Sequence, residues 1–257
     1  MGEFVKRGSR RQIAFEAAGL ADLAQCGARA AELLWADETS LATGMVAQVS
    51  PDVGMAREFG AMLAELHGHG HDRAFGQAPP GFDVAVHGGG TMGDEFLPVI
   101  SAEEADKDRA WGEFYAEDRL LPYLDSSLSN GSIDSAGGDI IHRLAEKLRD
   151  GEFDTDDKPS VLHGDLWSGN VMWSPEGAVL IDPASHTGHR ESDLAQLTVF
   201  GVPHYEQIID GYEQTAPLSD GWRDRAGLHQ LHILIIHASL FGGGYGSQTV
   251  NTAKKNL

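Results

Sequence analysis

The segment His163-Gly164-Asp165-Leu166-Trp167-Ser168-Gly169-Asn170, followed by Asp182, restricts this chain more than any other stretch. Val161-Leu162 reads as a strand entering a polar loop, and Val171-Met172-Trp173 as a strand leaving it. Ser174-Pro175-Glu176-Gly177 reads as a turn, and Ala178-Val179-Leu180-Ile181 as a returning strand that ends at Asp182-Pro183. Such a hairpin brings the carboxylates of Asp165 and Asp182 and the amide oxygen of Asn170 to one place. Phosphoryl transfer asks for hard oxygen ligands for magnesium and a carboxylate beside the attacking hydroxyl. Taken singly, these residues would be an Asx-turn and an aspartate before a proline. Together, flanked by strands, they point to chemistry.

The rest of the chain is mostly helix-forming. Ile13, Ala17, Leu20 and Ala24 predict a helix closed by Cys26-Gly27, after a short strand at residues 4–6. Residues 32–50 alternate loosely and predict two strands, with Pro51 closing the second. Beyond Pro51 the apolar spacing turns helical: Phe59, Met62, Leu63 and Leu66; Ile141, Leu144, Ala145 and Leu148; Leu228, Leu231, His232 and Ile235. Trp111, Phe114 and Tyr115 begin a further stripe that Leu121 completes, and residues 67–92 read as loop. This gives an α+β chain with a small strand-rich part, residues 1–50, and a mostly helical part, residues 51–257, that carries the hairpin.

Charge narrows the partners. With 19 Lys+Arg against 39 Asp+Glu the net charge is 19 − 39 = −20, which disfavours nucleic acid and anionic membranes and suits cationic small molecules. The single cysteine, Cys26, excludes an intrachain disulfide and a zinc site built on cysteines, and nothing near it lowers its pKa. The first residues hold no apolar signal core, and Leu231–Phe241 is too short to span a bilayer, so a cytoplasmic protein is expected. The sequence leaves the oligomeric state open.

The pattern His-Gly-Asp-x-x-x-x-Asn, a hairpin, then Asp resembles the aminoglycoside phosphotransferase and choline kinase group of protein-kinase-like folds. Trp167, the run Asp182-Pro183-Ala184-Ser185, Gly188-His189-Arg190-Glu191 and Asp193-Leu194-Ala195 narrow the resemblance to the fructosamine (ketosamine) kinase family. Phe59-Gly60, Leu63-Ala64-Glu65-Leu66-His67, Trp111-x-x-Phe114-Tyr115-x-x-x-Arg119-Leu120, Gly221-Trp222-Arg223-x-Arg225 and His237-x-x-x-Phe241-Gly242-Gly243-Gly244-Tyr245 agree with it. The resemblance implies a two-lobed fold and ATP- and magnesium-dependent phosphorylation of a hydroxyl on a ketoamine, free or on a glycated lysine. It implies Asp165 as base, Asn170 and Asp182 as magnesium ligands, Lys6 on the nucleotide phosphates and Glu16 as its ion-pair partner. Residues 43–48 would be the hinge that receives adenine.

The same resemblance sets one departure. Kinases of this group carry a strand–loop–strand over the phosphates before the lysine strand, and only five residues precede Lys6 here. Gly88-Gly89-Gly90 and Gly242-Gly243-Gly244 lie in the wrong order to replace it, which implies weak nucleotide retention. Two rivals follow: a kinase for another amino-sugar or amino-alcohol, and a non-catalytic nucleotide-binding relative.

Several residues keep two readings. Lys6 is a phosphate contact or a solvated lysine. Trp167 is a floor for the acceptor, through stacking or a cation–π contact, or packing between the two parts. His189 and Arg190 are part of the substrate wall or supports of the catalytic loop. The tract His67-Gly68-His69-Gly70-His71 is a loop rather than a metal site, because its glycines preorganise nothing. The acceptor site is expected to join carboxylates to a flat aromatic surface.

Overall fold

A computed structural model describes residues 2–257. Strand β1 (Glu3–Arg7) is followed by helix α1 (Arg10–Gln25), β2 (Leu33–Ala36) and β3 (Ser40–Gly44). The strands form an antiparallel sheet in the order β1-β3-β2, with Lys6 opposite Leu41. Helix α1 starts where Ser9 and Gln12 cap one another: Gln12 N–H donates to Ser9 Oγ, and Ser9 N–H to Gln12 Oε1. Its buried side includes Ile13, Glu16, Leu20 and Leu23, whereas Ala24, expected on that face, is exposed. The second predicted strand stops at Gly44 instead of running to Pro51. Met45 N–H turns to Gly2 O, and Val49 N–H to Trp173 O, so the chain has left the sheet by then.

Helix α2 (Val53–His67) is capped by Asp52, which accepts from Met55 N–H at 2.9 Å. It packs against helix α8 (Tyr205–Thr215) at Gly60, where an added Cβ would lie 1.8 Å from Ile208 O. Only glycine allows the two backbones to come so close. Residues 67–92 hold more structure than expected: a helical turn α3 (Val84–His87) and strand β4 (Gly90–Met92), which pairs with β5 (Glu95–Leu97).

The aromatic stripe lies on α4 (Trp111–Phe114), a π-helical turn (Tyr115–Leu120) and α5 (Leu121–Ser129). The wider turn shifts the phase by a residue, so that Leu120 rather than Leu121 completes the buried face. Helix α6 (Ser135–Arg149) buries Ile141, Leu144, Ala145 and Leu148 as its spacing predicts. The hairpin region follows as β6 (Ser160–Leu162), a 3-10 turn (Ser168–Asn170), β7 (Val171–Ser174), β8 (Gly177–Leu180) and β9 (His186–Gly188). Strand β7 pairs with β8 from Val171–Leu180 to Ser174–Gly177, and β6 pairs with β9, a pairing the sequence did not announce. Helices α7 (Arg190–Val199), α8, α9 (Trp222–Phe241) and α10 (Gly244–Lys254) complete the chain. Helix α9 is buried on several sides, Leu228 to Ile236, beyond the single stripe expected. No helix among the described residues is long and apolar enough to cross a membrane.

Candidate active site

The loop between β6 and β7 is held from behind by α7. Asp193 Oδ2 accepts from His163 N–H at 2.7 Å, and Oδ1 accepts from Gly164 N–H at 3.0 Å. Gln196 bonds Leu166 N–H at 2.6 Å and Gly164 O at 3.2 Å. Gly164 has a φ of +83°, and a Cβ there would meet Ala184 O at 2.2 Å, so the loop admits no side chain at this point. His163 takes Asp165 N–H on Nδ1 and gives its Nε2–H to Ile181 O at 2.9 Å. It thereby ties the loop to the end of the hairpin as a neutral imidazole, and burial lowers its pKa.

The same turn sets the reactive groups. Asn170 Nδ2 donates to Asp165 O at 2.8 Å and to Asp165 Oδ2 at 3.0 Å, and among the described residues nothing donates to Asn170 Oδ1. Asp182, after β8, adopts a φ of +52°, a conformation uncommon outside glycine. Its Oδ1 lies 3.2 Å from Lys6 Nζ, and Lys6 Nζ lies 2.7 Å from Glu16 Oε2. Burial pushes Lys6 down, but the carboxylates of Glu16 and Asp182 raise its pKa overall, so it is held as an ammonium. Glu16 is raised, first by burial and against the pull of Lys6. Asp165 is pushed up to about 7, chiefly by burial, with the Asp182 charge adding to it and Asn170's hydrogen bond opposing.

Lys6, Glu16, Asp165, Trp167, Asn170 and Asp182 all line one cleft of about 510 Å³. The set fits a magnesium ion: an exposed carboxylate, a carboxamide oxygen with no protein donor and a hard-oxygen environment. Several residues reach the cleft that the sequence did not single out. Thr91, Met92, Gly93 and Asp94, at the tip of the β4–β5 hairpin, form one side of it. Gln12 Nε2 fastens that tip, donating to Gly93 O at 3.0 Å and to Asp94 Oδ1 at 3.1 Å. The Gly-rich approach to residue 90 was the available signal, though it carried no hint of where the hairpin would dock.

Two expected substrate residues lie elsewhere. His189 is buried, accepts from Glu191 N–H, and sits 3.0 Å from Thr155 Oγ1. Arg190 pairs with Asp157 at 2.8 Å and donates to Pro217 O at 3.0 Å. Neither lines the cleft, because both open α7, whose next residues hold the loop from behind. Their neighbour Glu191 is gripped by Arg225 at 3.0 and 2.5 Å, and His229 lies 3.3 Å away. The cluster of His189, Glu191 and His229 is thus occupied by a guanidinium and by hydrogen bonds, an arrangement that repels a cation. The histidine tract is an exposed loop at His69 and His71, whereas His67 ends α2 and is buried, with Nδ1 at 2.9 Å from Tyr212 Oη and Nε2 at 3.2 Å from Asp193. Residues 43–48, expected as the adenine hinge, do not line the cleft. Cys26 is buried, and burial with the Asp22 charge raises its thiol pKa.

Comparison with known proteins places this geometry. A candidate fructosamine-3-kinase of Thermobifida fusca superposes with a TM-score of 0.85 at 35% identity, covering 98% of this chain and 84% of that one. A choline/ethanolamine kinase family protein of Mesorhizobium loti shares the fold, with a TM-score of 0.60 at 15% identity over 98% of this chain and 81% of its own. The architecture is therefore protein-kinase-like and α+β. A probable ketoamine kinase of Enterococcus faecium is 31% identical over 78% of this chain and 66% of its own length. The mouse ketosamine-3-kinase is 33% identical over 66% of this chain and 52% of its own. The chain spans about half to two thirds of the length of the curated relatives it matches. The model of the fructosamine kinase family matches residues 7–257, and the chain belongs to that family.

Proposed function

We propose that this protein transfers the terminal phosphoryl group of ATP to a hydroxyl of a ketosamine, the ketoamine adduct of a sugar and an amine. The reading is carried by the convergence of Asp165, Asn170, Asp182 and Lys6 on one cleft. Residues 1–50 would form most of the nucleotide side, and residues 51–257 the catalytic loop and the acceptor side. Lys6, kept charged by Glu16 and Asp182, holds the phosphates. Asp182 and Asn170 Oδ1 hold magnesium, which when bound supplies neutralising charge to the phosphate oxygens. Asp165 orients the acceptor hydroxyl and takes its proton onto Oδ2 or Oδ1. A carboxyl with a pKa near 7 is well matched to that transfer at neutral pH. Names of relatives such as ketosamine-3-kinase support the acceptor class.

The test offers the purified chain ATP, magnesium and fructose- or ribose-derived ketoamines of lysine and simple amines. ADP release and a new phosphate ester seen by phosphorus NMR are expected, with little product from an aminoglycoside or choline. Preference for either of the latter would overturn the ketosamine reading and leave phosphoryl transfer standing. Silence on all acceptors would overturn both.

A further inference from the structure

A second hollow of about 360 Å³ adjoins the cleft and shares Met92, Gly93, Asp165, Trp167, Leu240 and Phe241 with it. Its wall is Trp167, Phe200, Ile236, His237, Leu240 and Phe241, and Asp165 is its single charged lining group. The aromatics form a continuous run: Trp167 meets Phe200 edge-on at 5.6 Å, Phe200 lies 5.4 Å from His237, and His237 lies 5.4 Å from Phe241. Phe200 is 43% exposed and Phe241 68%, so the run presents a contiguous apolar surface to solvent. His237 gives Nδ1–H to Ile233 O at 2.7 Å, which leaves Nε2 as a lone-pair acceptor; burial lowers its pKa, so the ring is neutral near pH 7.

We infer that this wall is the seat of the acceptor's amine substituent and selects ketoamines whose substituent is apolar over those that carry a carboxylate there. The inference rests on the ketosamine reading above and adds what that reading lacks, the chemistry of the amine's far end. Three features carry it. The hollow is continuous with Asp165, so a hydroxyl presented to that carboxylate leaves the remainder of the acceptor against these rings. No lysine or arginine lines the hollow to pair with a carboxylate, and His237 is uncharged. Asp165 and a chain of net charge −20 repel a second negative group. The protonated ketoamine nitrogen, by contrast, finds Asp165, the aromatic faces and His237 Nε2 as acceptors.

Two acceptors of nearly the same shape test it, the fructose ketoamines of isopentylamine and of β-alanine, which differ by an isopropyl in place of a carboxylate. The isopentyl compound is expected to have a kcat/KM at least about tenfold higher, the scale on which a desolvated, unpaired polar group is rejected. Phe200→Arg should narrow or invert the ratio, with KM for ATP unchanged; Leu240→Arg, whose side chain borders both the cleft and the hollow, serves on the ratio alone if the first variant fails to fold. Equal kcat/KM for the two ketoamines in the parent would overturn the selectivity while leaving the kinase assignment intact. A preference for the isopentyl compound that neither arginine variant alters would remove it from this wall. If the parent phosphorylates no ketoamine at all, the ketosamine reading falls and the inference falls with it.

Discussion

Asn170 Nδ2 donates to Asp165 Oδ2 at 3.0 Å, so the residue proposed to hold magnesium with one end of its amide braces the proposed base with the other. Asn170→Asp separates the two jobs. It keeps an oxygen ligand but replaces a donor to Asp165 with a like charge, which raises the carboxyl's pKa further. The acidic limb of kcat/KM against pH should move to more alkaline pH while magnesium dependence persists. An unmoved limb would show that Asp165 is not the group titrating in that profile.

Asp165→Asn should retain the fold and lose about 10²–10⁴-fold in turnover, the usual contribution of a general base. The same substitution has a stability signature of definite sign. A carboxyl raised to about 7 binds more protons folded than unfolded across the interval from its ordinary value to about 7. Its contribution to stability therefore falls as pH rises through that interval. The uncharged amide has no such loss, so the difference in Tm, variant minus parent, should grow from pH 4.5 to pH 8. Melting curves across that range check it, and a constant difference would contradict the raised carboxyl.

The hairpin was legible because its chemistry is local: Asp165, Asn170 and Asp182 lie within one strand–turn–strand unit, and alternation with a turn fixes their meeting. Lys6 and Glu16 needed the resemblance, since a lysine near a chain end and a helix glutamate have no shared local signal; the 2.7 Å pair is tertiary. His189 and Arg190 kept two readings, substrate wall or support of the loop, for a related reason. Polar residues near a motif in sequence can serve it from behind, and only the packing of α7 shows which side they take. The β4–β5 tip escaped because its docking depends on Gln12, far away in sequence, whose visible job is to cap α1.

Asp182→Ala should abolish turnover and the magnesium dependence of nucleotide binding, because it removes the carboxylate best exposed to a metal in the cleft. Lys6 would lose one of its two partners and keep Glu16, so its ammonium remains charged. Titration of ATP and ADP with and without magnesium, by calorimetry or fluorescence, makes the check. If the variant binds nucleotide with the parent's magnesium dependence, the ligand lies elsewhere.

Asp193 touches no reacting atom in this arrangement, yet it should matter as much as the hairpin. Its two oxygens accept the N–H groups of His163 and Gly164 and face His67 Nε2 at 3.2 Å. Burial pushes its pKa up, but the hydrogen bond and charge of His67 and the loop's N–H groups outweigh it, and the carboxyl ends below its ordinary value. Its stabilising contribution is therefore complete above that ordinary value and is lost as pH falls toward the lower, folded one. Asp193→Asn turns an NH₂ group toward a donor that already needs an acceptor, and leaves His67 without its carboxylate. Leaving buried donors without their acceptor costs about 1–3 kcal/mol each, so a clear fall in Tm is expected near neutral pH, shrinking below pH 4. The kinetic consequence separates a positioning role from a general loss of fold. At a temperature where the variant is fully folded, kcat should drop with KM for ATP nearly unchanged, because the loop carrying Asp165 shifts while the Lys6 side does not. A variant that loses stability but keeps the parent's kcat would reduce Asp193 to a packing residue.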